Sequence, residues 1–435
     1  MIKKKKELFI LLSIFIIGIL LRFSVLFTAH HGDLNNNISW GQKVNEIGTK
    51  NYYEHTDPAE WKYSVPNQPP LSILTFAVMM KAEEIIRKSV WNWNLNYVYF
   101  PSQLIWFWDE KGLDLMIKLP SLIADVLIGA FIYIYLKKKF NVFGKALIIT
   151  AIWLFNPISW YNSSLWGQTD SIVNLLGLLS IYLLLNKKLE QAVIFITLSF
   201  LFKASLAIFL PVLFYVALRQ KYTYKLWMLS ILSSLFVVFL ISIWFHPAID
   251  LPLWILNLYK NRILPGEIGY LTAGAFNFWW LIEPGKVLDS VSYLGLSARI
   301  LGIIATLFLI ILFIYKRLKY SITDNRVWSA LLFSALVAFL FMTRIHPRYL
   351  YPFFPAATIY LAFVPGFWLI YILTSVFHFL NIYYLFWIPP QPYLEKLFLN
   401  PLFPNLLSIL SIIIFILTLL NITDIKKRRK LLFRS

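Results

Sequence analysis

The sequence contains no cysteine, so it can form neither a disulfide framework nor a thiolate metal site. Charged residues are also scarce, at 14% of the chain. Short strands of alternating polarity, which mark a membrane barrel, are absent. There is no phosphate-binding loop, no dinucleotide fingerprint and no serine-hydrolase elbow. These absences exclude several large enzyme classes before any single residue is considered.

The chain is dominated by apolar residues. Of its 435 residues, 59% are hydrophobic and 18% are aromatic. Many runs of about 18 or more residues carry almost no charge, and this length predicts membrane-spanning helices. The net charge of +19 comes from Lys and Arg clusters at the ends of these runs. This is the positive-inside pattern, so the basic charge indicates membrane topology and no nucleic-acid partner.

The apolar runs predict an all-α polytopic membrane protein with about twelve transmembrane helices in a single domain, 1–435. Both termini are expected to be cytoplasmic, and the first segment is read as a retained span. Residues 29–114 form a long outer first loop with interfacial helices at 71–87 and 97–108, and 246–295 forms a second outer loop. The bias toward Lys, Ile, Asn and Phe favours the plasma membrane of a prokaryote with an AT-rich genome.

A carboxylate follows the first predicted span directly. Asp33 lies in the stretch from His30 to Trp40, just beyond the end of the apolar run. A carboxylate fixed to a helix end and facing water can take a proton from a hydroxyl group, so Asp33 is the candidate general base. The alternative is an ordinary polar loop start. His30 and His31 beside Asp33 are a poor metal site, because adjacent histidines rarely ligate together, and no metal is expected.

Cationic residues stand at two other places on the predicted outer face or inside the bundle. Arg344, His346 and Arg348 follow a span end and predict an anionic ligand, since arginine forks match phosphate oxygens. The alternative is ion pairing with carboxylates of the outer loops. Residues 190–218 are flanked by basic residues on both sides, which predicts two short helices that meet near Lys203. An intramembrane lysine is usually functional, although it can also snorkel to the interface.

Aromatic and polar residues alternate after the third predicted span. Trp160, Tyr161, Trp166, Gln168 and Asp170 combine flat apolar faces with amide and carboxylate groups, a mixture that suits a sugar ring. The alternative is an interfacial aromatic belt.

Three further charged residues lie within or near predicted spans: Arg22, Lys118 and Asp125. A structural ion pair among them is favoured over a functional site.

These elements together resemble the GT-C glycosyltransferases, and in particular bacterial relatives of the mannosyltransferase that adds the second mannose of GPI anchors. Three stretches carry the resemblance in chain order: Gly32-Asp33 with Ser39-Trp40 and Tyr52-Tyr53; Asn156-Pro157 followed by Ser164-Leu165-Trp166-Gly167-Gln168-Thr169-Asp170; and His346-Pro347-Arg348-Tyr349. Many relatives carry a second acidic residue where this chain has Leu34.

The resemblance implies transfer of a hexose, with mannose as the nearest guess, from a polyprenyl-phosphate carrier to an acceptor hydroxyl on the outer face. Asp33 would be the base of an inverting reaction without cofactor or metal, and the acceptor could be a lipid, a glycan or a protein. The implied roles of the other residues are donor-phosphate binding by Arg344, His346, Arg348 and Lys203, and substrate binding by Trp40, Trp166, Gln168, Asp170 and Tyr349.

Two other classes remain open. A transporter or flippase of lipid-linked saccharides also suits many spans, intramembrane charges and broken helices. A non-enzymatic assembly scaffold is the third class. The long first outer loop favours the enzyme, because a catalytic first loop needs it and a transporter usually lacks it.

Overall fold

The computed structural model describes residues 2–264 and 269–432, with side chains from residue 4 to residue 423 within those ranges. The structure is 77% helical, and its described residues include almost no strand. The predicted all-α class is therefore confirmed. The basic cluster Lys426–Lys430, on which part of the predicted topology depends, has its side chains outside the described set.

The described residues form eighteen α-helices and one short hairpin. The helices are α1 (Ile2–Leu26), α2 (Gly32–Ile47), α3 (Pro70–Asn96), α4 (Gln103–Phe140), α5 (Phe143–Phe155), α6 (Pro157–Trp160), α7 (Asp170–Leu185), α8 (Leu189–Phe202), α9 (Leu210–Arg219), α10 (Tyr224–Ser242), α11 (Leu251–Leu258), α12 (Phe278–Ile282), α13 (Ala298–Leu318), α14 (Asp324–Phe341), α15 (Phe353–Phe363), α16 (Trp368–Phe386), α17 (Pro392–Leu399) and α18 (Leu402–Leu432). Strands β1 (Ser292–Tyr293) and β2 (Leu296–Ser297) pair antiparallel.

Seven helices among the described residues are long and apolar enough to cross a membrane: α1, α4, α10, α13, α14, α16 and α18. Only 11% of the most apolar stretch of α1 and of α10 is buried inside the protein. Such long, exposed apolar surfaces are stable only in lipid or against another apolar surface. The protein is therefore embedded in a membrane.

The predicted count of twelve spans does not fit this structure. The bent pair α5 and α6 raises the count within the described residues from seven to at most eight. The remaining apolar helices are too short: α7 has 16 residues and α8 has 14. At 1.5 Å per residue, α7 reaches about 24 Å, less than the roughly 30 Å of the hydrocarbon layer. The prediction counts apolar runs as spans, although polar residues and prolines end these helices early.

The chain divides into two compact units, of which the first comprises Met1–Ile128, Ser159–Leu206 and Tyr222–Gly266. In this unit α2 packs along α3, and α8 packs against α7 and α10. Its core is a cluster of buried apolar side chains from the segment that follows α1 and from α11, including Leu34, Tyr52, Phe76 and Leu258. This unit contains Asp33, Gln168, Asp170 and Lys203.

The second unit comprises Gly129–Ile158, Ala207–Lys221 and Glu267–Ser435. Its central helix is α14, whose side chains from Val327 to Leu340 are all buried. Helices α13, α15 and α18 pack around α14, and α5 packs on α15. This unit contains the stretch from Arg344 to Tyr349, which begins outside the C-terminal end of α14.

The structure confirms some of the other local predictions and contradicts one. The helix predicted at 71–87 is confirmed and is longer, as α3. The separate interfacial piece predicted at 97–108 is wrong, because residues 103–108 are the first part of the 38-residue helix α4. The predicted break near Lys203 is confirmed: α8 ends at Phe202, and a 3₁₀ helix over Ala204–Phe209 leads into α9. Lys203 itself is extended, with φ −166° and ψ 135°. The predicted loop 246–295 contains α11, α12 and part of the hairpin, and its residues 265–268 lie outside the described set.

Candidate functional site

Asp33 lies in the first turn of α2, which begins at Gly32 after a short linker from the end of α1 at Leu26. The Asp33 backbone N–H donates to Nδ1 of His31, 3.0 Å away, so the imidazole caps the helix. This bond requires an unprotonated Nδ1. The Asp33 side chain is 40% exposed, and the N-terminal end of a helix stabilises a negative charge. An ionised, accessible carboxylate is the form that a general base requires.

Gln168 brings the second predicted element to Asp33. Its Nε2 donates a hydrogen bond to Oδ2 of Asp33 at 2.8 Å, although the two residues are 135 positions apart. Gln168 is only 6% exposed, so its amide is held in place by the surrounding protein. The structure thus brings together two of the predicted site residues from separate parts of the sequence.

Local backbone geometry points Gln168 toward Asp33. Helix α5 ends at Asn156-Pro157, where the chain bends by 46°, because a residue before proline avoids the helical conformation. A π-helical turn follows at Tyr161–Leu165, and such turns are frequent at functional sites. Gly167 then has φ +78°, a conformation that favours glycine.

Gly167 also lies too close to its neighbours to carry a side chain. A Cβ at this position would be 2.8 Å from Cδ2 of Leu34 and 2.8 Å from Cγ of Lys118. We expect Gly167→Ala to destabilise the protein by roughly 1–3 kcal/mol through backbone strain and to displace Gln168 from Asp33. The thermal unfolding midpoint in detergent measures the first effect. Gly144→Ala, where a Cβ meets nothing within 4 Å, is the matched control. Equal midpoints for the two variants would contradict the strain at Gly167.

Lys118 connects the π-helical turn Tyr161–Leu165 to the end of α1 through hydrogen bonds. Its buried Nζ donates to three carbonyl oxygens: Leu26 at 2.6 Å, Ala29 at 2.7 Å and Leu165 at 3.1 Å. Sequence reasoning placed Lys118 among a set of paired charges and missed these carbonyl contacts. No sequence motif reports them, because a carbonyl acceptor can belong to any residue.

The structural pair predicted among Arg22, Lys118 and Asp125 is confirmed for Arg22 and Asp125. Arg22 Nε lies 2.8 Å from Oδ2 of Asp125, and both side chains are fully buried. Ser163 Oγ donates to the same carboxylate oxygen at 2.8 Å, and Arg22 Nη2 donates to Ser159 Oγ at 3.1 Å. This network ties α1 and α4 to the segment that carries Gln168.

Asp170 and Lys203 form a second ion pair in the same unit. Lys203 Nζ lies 2.8 Å from Oδ1 of Asp170, and their side chains are 13% and 4% exposed. Asp170 is two residues after Gln168, so the pair lies close to the Asp33 contact along the chain. The snorkelling alternative for Lys203 is not what the structure has, because the ammonium is bound to this carboxylate.

The two tryptophans that the resemblance implies as substrate-binding, Trp40 and Trp166, are buried. Trp166 is 1% exposed, and its ring centroid lies 5.0 Å from that of His31. Trp40 is 3% exposed, and its indole N–H donates to the Ser64 carbonyl oxygen at 2.7 Å. A sugar contact by Trp40 would require this packing to open, so we leave Trp40 out of the proposed site.

The predicted phosphate-binding residues Arg344, His346 and Arg348 belong to the second unit. Arg344 is paired with Asp289 through two hydrogen bonds, 2.6 Å and 3.0 Å long, and these bonds raise the pKa of its guanidinium. The alternative of pairing with a loop carboxylate therefore holds for Arg344. His346 Nδ1 accepts from the Arg348 N–H at 3.4 Å, and the Arg348 guanidinium lies 6.0 Å from the Tyr349 ring centroid. Phosphate binding by this stretch stays a prediction.

His30 is engaged by groups other than His31. One ring nitrogen lies 2.6 Å from Oδ1 of Asp114 and the other lies 2.9 Å from Oδ1 of Asn35. Within residues 2–264 and 269–432, no group of three or more His, Asp or Glu side chains is arranged to hold a metal ion.

A cavity of about 360 Å³ lies between the C-terminal part of α3 and the first part of α4. Its lining includes Arg87, Trp91 and Trp108, and none of the predicted site residues. The candidate site is therefore defined by the hydrogen bonds around Asp33 and not by this cavity.

No model of a known protein family matches this chain, and no curated protein is significantly similar to it.

Proposed function

We propose that this protein is a membrane glycosyltransferase of GT-C type, in which Asp33 is the general base. The observation that supports this most is the hydrogen bond from Gln168 to Asp33. It joins the acidic motif after the first span to the later motif that ends in Asp170, and these are two of the three stretches that carry the resemblance. A carboxylate held in this way on a rigid helix end has the fixed position that proton transfer needs.

The proposed reaction moves one hexose from a polyprenyl-phosphate donor to an acceptor hydroxyl. Asp33 takes the hydroxyl proton while the oxygen attacks the anomeric carbon from the face opposite the phosphate. The bond between that carbon and the phosphate oxygen breaks, and polyprenyl phosphate leaves with the electron pair. The configuration at the anomeric carbon is inverted. The proposal includes neither a cofactor nor a metal ion.

The leaving phosphate needs cationic or hydrogen-bond donors, because negative charge grows on it during the reaction. Lys203 is the predicted cation that lies in the same unit as Asp33. Its ammonium is held at a fixed place by Asp170, which is two residues after Gln168 in the chain. The proposed roles of the Arg344–Tyr349 stretch rest on the resemblance alone.

The proposed topology places Asp33 outside the plasma membrane and both termini in the cytoplasm. Helix α4, which is the first span after Asp33, ends with Lys137, Lys138 and Lys139. Clusters of this kind favour the cytoplasmic side. Mannose is the proposed sugar on the resemblance, and the acceptor can be a lipid, a glycan or a protein.

Gln168→Leu tests the observation on which the proposal rests. It removes one hydrogen bond to a charged group, worth about 1.5–3 kcal/mol, so we expect turnover to fall roughly 10- to 100-fold with little change in donor KM. The measurement is release of labelled sugar from polyprenyl-phosphate mannose in membranes. Gln191→Leu, an exposed glutamine on α8, is the matched control. Equal turnover for both variants would remove Gln168 from the site.

A transporter of lipid-linked saccharides is the second candidate. The chain break at Lys203, with an ion pair beside it, is the observation that favours it, since broken helices and buried charges mark substrate paths. The two candidates differ in chemistry. A transporter leaves the bond between sugar and phosphate intact, whereas the proposed enzyme breaks it.

A further inference from the structure

Arg262 is a partly buried cation that sequence reasoning did not select. It lies in the π-helical turn Tyr259–Ile263, which continues from α11, and its guanidinium carbon is 5.9 Å from the ring centroid of Tyr53. Its Nη1 atom is buried and has no hydrogen-bond partner among residues 2–264 and 269–432. Partial burial lowers the pKa of the Arg262 guanidinium.

The aromatic neighbours of Arg262 do not neutralise it. Burial raises the pKa of Tyr53 well above its ordinary value and also raises that of Tyr52, so both phenols are neutral. The Tyr53 hydroxyl instead donates to the Gln68 carbonyl oxygen at 2.7 Å. A tyrosine ring face attracts a guanidinium, but it cannot accept the hydrogen bond that Nη1 is able to donate.

The neighbouring carboxylate is held by other groups. Oε1 of Glu54 accepts a hydrogen bond from the Trp254 indole N–H at 3.0 Å and lies 3.5 Å from Nδ1 of His246. Glu54 acts on the Arg262 charge from a distance, and the described residues include no ion pair between the two. A buried guanidinium N–H without a protein acceptor is costly unless water or an anion binds there, and an anion also compensates the charge.

Neighbours of Arg262 on the same turn contact the segment that leads to Lys203. The Tyr259 hydroxyl donates to the Phe200 carbonyl oxygen at 2.7 Å, three residues before Lys203 on the same stretch. Lys203 in turn binds Asp170. Tyr259 and Ile263 also pack against the buried cluster that contains Leu34, the residue next to Asp33. Arg262 and Asp33 are therefore anchored to one core within the first unit.

We propose that Arg262 is a further phosphate-binding residue, which contacts the phosphate group of the lipid-linked donor. Guanidinium is the side chain best matched to phosphate, because its planar fork gives two parallel N–H bonds to two oxygens. Single π-helical turns, such as the one that carries Arg262, are frequent at functional sites. This inference rests on the proposed function, from which it takes the class of ligand.

The test measures binding without any transfer step. The full-length protein in nanodiscs is titrated with a polyprenyl monophosphate, and binding is followed by native mass spectrometry. We expect Arg262→Gln to weaken binding roughly 10- to 100-fold, the loss expected for hydrogen bonds to a charged group. Arg262→Lys, which keeps the charge and loses the fork, should recover only part of the affinity.

Two matched variants separate a specific phosphate contact from diffuse attraction and from a structural ion pair. Lys260→Ala removes an exposed charge two residues away on the same turn, and it should leave binding unchanged. Equal losses for Lys260→Ala and Arg262→Gln would overturn the proposal in favour of diffuse attraction. Glu267 lies outside the described residues, and its variant tests the competing explanation of a structural ion pair. Equal losses of thermal stability for Glu267→Gln and Arg262→Gln would overturn the proposal in favour of a structural pair.

Two further probes identify the source of the phosphate. The titration is repeated with inorganic phosphate added, and again with the protein in nanodiscs of phosphatidylglycerol. Both anions are expected to reduce binding of the polyprenyl monophosphate only weakly. If either binds as tightly and depends on Arg262, the assignment to the lipid donor is wrong.

The binding result and the proposed function fail in different ways. If binding depends on Arg262 but the wild-type protein transfers no sugar, the phosphate site is supported and the proposed glycosyltransferase function is contradicted. Wild-type levels of binding and transfer in Arg262→Gln would overturn the inference and leave the enzyme intact.

Discussion

Replacing Asp33 by Asn is expected to reduce sugar transfer about 10²- to 10⁴-fold, which is the usual contribution of a positioned general base. The amide keeps the size of the side chain and can still accept the hydrogen bond from Gln168, but it cannot take a proton. Folding and donor binding should therefore change little. The measurement is the initial rate of label transfer from polyprenyl-phosphate mannose in membranes with equal amounts of protein.

Glu46→Gln is the matched control for this variant. Glu46 is on the same helix, α2, and its side chain is 68% exposed in a pair with Lys43. Its loss of charge should leave the rate unchanged. If Asp33→Asn and Glu46→Gln both transfer sugar at the wild-type rate, Asp33 is not the base.

The largest expected effect on stability comes from the buried pair of Arg22 and Asp125. Removal of one partner leaves a charge in an apolar interior, which costs about 3–5 kcal/mol. Arg22→Met and Asp125→Leu should each lower the midpoint of thermal unfolding in detergent, followed by tryptophan fluorescence. The double variant should recover most of the loss, because it leaves no unpaired charge.

Lys81→Met is the control for the pair. Lys81 and Glu84 form an ion pair at 2.9 Å, but the Lys81 side chain is 54% exposed, so its removal should hardly change the midpoint. If the double variant of Arg22 and Asp125 is no more stable than the single variants, the pair is not the source of the loss. The loss would then come from the serine contacts of the network.

Local features of this fold could be predicted from the sequence because local chemistry determines them. Proline after Asn156 ends α5, and the basic residues on both sides of 190–218 predict a break between two short helices, which the structure has at Lys203. The position of Asp33 just after α1 follows from where the apolar run stops. Each of these depends on residues a few positions apart.

Pairings and lengths could not be predicted in the same way. Lys118 and Asp125 lie seven positions apart on one helix, yet Asp125 pairs with Arg22 and Lys118 binds carbonyl oxygens. Spacing along a helix reports a shared face and not the partner that another helix brings to it. The count of spans failed for a related reason, since hydropathy alone cannot distinguish a short buried helix from one that crosses lipid.

The remaining site residues depend on long-range packing. The contact between Asp33 and Gln168 spans 135 positions and requires the left-handed Gly167. Arg262 carried no signal, because it stands in a polar turn beside Lys260 and resembles any surface arginine. Only the three-dimensional structure shows that its Nη1 atom is buried.

The most direct test of the central claim uses purified wild-type protein in liposomes with polyprenyl-phosphate mannose that is labelled in the sugar. The fate of the bond between sugar and phosphate is followed by separating free carrier from intact donor. We expect label to leave the carrier and to appear in an acceptor with inverted anomeric configuration. Intact donor throughout, whether it stays in its leaflet or crosses the bilayer, would contradict the glycosyltransferase.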